Sequence, residues 1–96
     1  MESGEGGVMG RYVLEGEWSG YRSSQRRIVH REVISEKRAK DFKLSSIEYS
    51  DGTRLDIYVR PAKPRERVSA INGYSSLIRK AEKTGKEFVT VSELNQ

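Results

Sequence analysis

The 96-residue chain has no cysteine, two prolines and one histidine, and only 8% of its residues are aromatic. Without cysteine it has neither disulfides nor thiolate-based zinc or redox chemistry, and a single imidazole cannot complete a histidine-rich metal site. No cofactor and no structural metal are expected. No apolar run approaches the roughly 18 residues of a membrane-spanning helix, and the N-terminus lacks the charged, apolar and small-residue order of a signal peptide. These absences point to a cytoplasmic protein without a membrane partner. Phosphate-loop and dinucleotide fingerprints are missing too: the glycine-rich run Gly4-Glu5-Gly6-Gly7 precedes no strand-to-helix turn bearing a lysine.

What the chain does have is charge. Charged residues make up 33% of it and apolar ones 34%, so a single domain with a thin core is expected. The net charge of +4, with an isoelectric point near 9.5, favours phosphate-bearing or acidic partners and is silent about the fold. MESGEGGVMG, residues 1–10, reads as a flexible leader before a domain spanning 11–96, and Met9 offers an alternative start.

RYVLEGEW, residues 11–18, alternates Tyr12, Leu14, Gly16 and Trp18 against Val13, Glu15 and Glu17, the period of a half-buried strand. That pattern favours a core position for Trp18. SGYRSS supplies turn chemistry, and QRRIVHREVIS resumes a β-rich run with apolar and charged groups mixed on both faces. Mixed faces suit an edge strand, a bulge or a strand projecting beyond the core. EKRAKDF, residues 36–42, is expected to be a loop or one helical turn.

KLSSIEYSDGTRLDIYVR reads as a hairpin whose register is fixed by its side chains. A two-residue Asp51-Gly52 loop would set Ile47 against Asp56, whereas a Ser50-Asp51-Gly52 loop with Gly52 left-handed pairs Ile47 with Leu55 and Glu48 with Arg54. The second register is predicted, with Ile47, Tyr49, Leu55, Ile57 and Val59 on the core face. PAKP then stops the sheet. Val68, Ile71, Tyr74, Ile78 and Ala81 predict a helix from about Pro64, broken at Asn72-Gly73 and closed by Gly85. EFVTV is a short candidate strand, after which Ser92 resembles a cap with little room for a helix. The expected fold is α+β: a small antiparallel sheet of four to five strands covered on one side by the C-terminal helical segment, with a small barrel as the competing arrangement.

WSGYRSSQRRIVHRE, SDGTRL and RERVSAINGY together resemble small uncharacterised proteins encoded by bacteriophages. That resemblance implies no assigned activity and no binding residues; it adds weight to a host-interacting or nucleic-acid-handling role.

Between Gly20 and Lys43 lie eight cations and three anions, a net of +5. Arg22, Arg26, Arg27 and Arg31 can fork onto phosphate oxygens, Trp18 and Tyr21 offer faces for base stacking, and Ser24 and Gln25 add hydrogen-bonding groups. His30 is the sole side chain that ordinarily titrates near neutrality, yet neither it nor Glu32 sits in a catalytic motif. A buried sheet histidine is the plainer expectation, and a solvated edge face is the plain alternative for the arginines. The Asp51-Gly52-Thr53 trio lacks the other positions of a calcium loop. Arg79, Lys80, Lys83 and Lys86 complement the C-terminal end of a helix dipole. The resulting expectation is a non-enzymatic binding module for nucleic acid or a phosphate-bearing nucleotide. The alternative is a small regulatory or inhibitory protein that docks on an acidic partner or sequesters a signalling nucleotide, with an edge strand available for homo-oligomerisation.

Overall fold

The computed structural model describes residues 11–20 and 24–95, so the leader expected at 1–10 lies outside them. Five strands form one sheet: β1 (Arg11–Ser19), β2 (Arg26–Ser35), β3 (Ser46–Glu48), β4 (Arg54–Pro61) and β5 (Phe88–Thr90). The described residues also form three helices: α1 (Glu36–Asp41) and α2 (Ser75–Glu82) between strands, and α3 (Val91–Leu94) after the last strand. The strand order is β2-β1-β4-β3-β5, with β2 and β5 at the edges. All pairings are antiparallel except β3 with β5, which makes this α+β sheet mixed and open rather than a barrel.

The β3–β4 hairpin adopts the predicted register. Ile47 lies opposite Leu55 and Glu48 opposite Arg54. Tyr49 and Thr53 close a loop of Ser50, Asp51 and Gly52, and Gly52 has φ 90°. Asp51 belongs to this turn: its carboxylate accepts from the Thr53 amide at 2.9 Å and the Thr53 hydroxyl at 2.7 Å, which hold its pKa down.

Leu14, Ile34, Ile47, Leu55 and Ile57 turn one sheet face toward Ile78 and Ala81 of α2, Leu94 of α3, and Leu44. Each such side chain, buried fully, contributes roughly 1.5–3 kcal/mol. Ser35 caps α1 by accepting from the Arg38 amide, so residues 36–41 form a helix rather than a loop. Thr90, not Ser92, caps the last helix, in a reciprocal capping box with Glu93 that makes four residues enough for α3.

The largest departure from the sequence reading is the segment between β4 and α2. No helix begins at Pro64. Ala62 donates to the Arg11 carbonyl, the Glu66 carboxylate is held by Arg60 at 2.7 and 2.9 Å, and Arg11 reaches the Glu66 carbonyl. Ile71 then exchanges both backbone hydrogen bonds with Arg31 on the outer edge of β2, each 2.9 Å. The backbone is bound to the sheet at both ends of this strap, and between them it makes one local turn bond, from the Glu66 amide to the Lys63 carbonyl at 3.1 Å, rather than a helix. The helix starts only after Asn72-Gly73, at Ser75, and Gly85 follows it with φ 76°.

Candidate nucleic-acid interface

The β1–β2 ladder explains the mixed faces of β2. Gly16 pairs with His30, but the next β1 residue, Glu17, pairs with Ile28, so Val29 is an extra residue in a β-bulge. The bulge exchanges the faces of everything beyond it. Trp18 consequently lies opposite Arg27 and Ser19 opposite Arg26, where strict alternation would have set Ile28 against the indole. Gly16, the last residue paired before the bulge, is closely packed: a Cβ there would stand 3.2 Å from the His30 Cβ and 3.1 Å from a Leu55 methyl.

Trp18, Gln25, Arg26 and Arg27 line one open concavity of about 290 Å³ at the hairpin end. Trp18 is only half-buried and stands outside the core cluster, contrary to its expected core role, although Leu55 opposite it is fully buried. The Arg27 guanidinium carbon lies 5.8 Å from its ring centroid, a cation–π arrangement that holds the arginine over one indole face. Arg26 is exposed and only loosely tied to Asp56, at 3.8 Å. Asp56 also holds Arg54 at 3.0 Å and accepts from the Ser19 hydroxyl, so a carboxylate on β4 organises two arginines at the hairpin end. Asp56 and Arg54 escaped the sequence reading because only the β1–β4 pairing brings them there. Ser24 is exposed at the approach to β2, whereas Tyr21 and Arg22 lie outside the described residues.

The other two candidates are elsewhere. Arg31 donates to Glu15 at 2.6 Å on the sheet face under the strap. Burial would raise the Glu15 pKa, but hydrogen bonds from Arg31, Arg60 and Tyr58 outweigh it and the net shift is downward. Arg31 therefore neutralises an internal carboxylate. His30 is fully buried on the core face, its Nε2 2.7 Å from Glu32 and its Nδ1 without a partner among the described residues. Glu32 continues to Arg38, which forks onto Glu82 of α2, so the histidine begins a chain tying β2 to both longer helices. Much of the positive run is thus engaged internally, and among the described residues Arg26 and Arg27 are its exposed part at the hairpin end.

Among the described residues, no group of three His, Asp or Glu side chains is placed to hold a metal ion, and no helix is long and apolar enough to cross a membrane. No family model matches the chain, and neither the curated proteins nor the solved structures contain a match.

Proposed function

We propose that the protein is a non-enzymatic binding module for nucleic acid, engaging a single strand at the end of the β1–β2 hairpin. The observation that carries this reading is the shared concavity of Trp18, Gln25, Arg26 and Arg27, with Arg27 already seated over the indole. An aromatic face with one guanidinium over it, and a second exposed guanidinium on the next residue toward Asp56, offers what a single strand requires: stacking for a base and charge for the adjoining phosphates. Its open shape suits a strand passing along it better than a mononucleotide that must be enclosed.

Trp18 is the only tryptophan in the chain, so its emission reports this site directly. Titration with oligo-uridine or oligo-thymidine at low salt is expected to change that emission saturably, and free mononucleotides far less. Tight mononucleotide binding with no response to either oligomer would reject the single-strand reading. No response to any of them would transfer the exposed arginines to an acidic protein partner.

A further inference from the structure

A second concavity lies in another part of the molecule and owes nothing to the nucleic-acid reading. β3 pairs with β4 only over Arg54–Asp56, so the later part of β4 has a strand on one side alone. There, the Tyr12 and Phe42 side chains border a cleft of about 370 Å³ with Leu44, Val59 and Ala39, and Tyr58 lines its edge from the strand whose next residue, Val59, faces the cleft. This volume falls within the range of small-molecule sites, roughly 300–1,000 Å³. The lining is apolar with one cation, Lys40. Lys40 is 72% exposed and has only a 3.7 Å contact with Glu36, itself a solvated partner. Such a pair gives little stability and yields readily to a better-placed anion.

The geometry points to a binding site for a small organic anion: a flat aromatic body against Tyr12 and Phe42, with one carboxylate or phosphate on Lys40. The aromatic wall supplies apolar contact and the ammonium sets the orientation. A neutral aromatic of equal size would use only the first.

The direct test follows backbone amides by NMR while the intact protein is titrated separately with indole-3-acetate, adenosine monophosphate and neutral indole at fixed ionic strength. Saturable shifts at Ala39, Lys40, Phe42, Leu44 and Val59, without matching shifts at Trp18 and Arg27, are expected for at least one of the acids. The tighter acid identifies a carboxylate or a phosphate source. Lys40→Ala should weaken that acid roughly tenfold, the factor of one charge-assisted contact, while changing indole less than twofold; Lys40→Arg should retain most of the affinity. Absence of saturable shifts in the cleft at millimolar ligand would overturn the proposal. So would shifts confined to the hairpin end, or equal losses for acid and indole in Lys40→Ala.

Discussion

Gly16 is the last residue paired before the bulge that turns Arg27 onto Trp18, and it is closely packed. A methyl group there would lie 3.1 Å from a terminal methyl of the fully buried Leu55 and 3.2 Å from the His30 Cβ, which is fixed to the backbone. Gly16→Ala is therefore expected to cost about 1–3 kcal/mol, the range for overpacking a fitted interior, measured as a shift in the urea midpoint with unchanged slope. It should also alter Trp18 emission, since relief of the contact moves β1 against β2. An alanine variant as stable as the parent, with the same emission, would mean that the bulge does not depend on this glycine.

The elements differ in how much of their form could be read locally. The β3–β4 hairpin was legible because pairing Ile47 with Leu55 and Glu48 with Arg54 is chemically superior to the one-residue slip, and Gly52 permits the loop that produces it. Gly52→Val should destabilise this hairpin by about 2 kcal/mol, since a β-branched residue must take φ 90°. Gly85→Ala isolates the same effect without packing: nothing lies within 4 Å of its missing Cβ and φ is 76°, so a loss of about 1 kcal/mol is expected on thermal unfolding. The strap from Ala62 to Ile71 was not legible. Its apolar spacing permits a helix, and only the tertiary bonds from Glu66 to Arg60 and from Ile71 to Arg31 select the extended path. The site was half legible for a similar reason: the composition of the 18–27 stretch announced aromatic and cationic groups, while the bulge deciding which side each takes exists only in the paired ladder.

Across the whole molecule the charges fall into two sets: paired internal networks on both sheet faces, and an exposed remainder that includes Arg26 and Arg27. The internal set makes stability pH-dependent with a definite sign. Arg60, followed by the Lys63 amide, lowers Glu66 from an ordinary value of 4.5 to about 2, and Glu15 is also shifted down. Carboxylates depressed in the folded state contribute stability that is complete above their ordinary value and is lost as pH falls through the folded one. The urea midpoint should hold above pH 4.5, decline most steeply between pH 4.5 and about 2, and level off below that, where folded Glu66 has taken up its proton. A midpoint unchanged over this interval would show that the strap's ion pairs do not stabilise the fold. The exposed remainder bears on function, and the most direct measurement is the salt dependence of binding to a single-stranded oligonucleotide, compared between the parent protein and Arg26→Ala/Arg27→Ala. The account predicts equal unfolding midpoints, weaker binding by the variant, and a slope of log affinity against log salt that is shallower by about 1.4, or about 0.7 for each of two lost phosphate contacts. Equal affinity and equal slope in a variant as stable as the parent would contradict it.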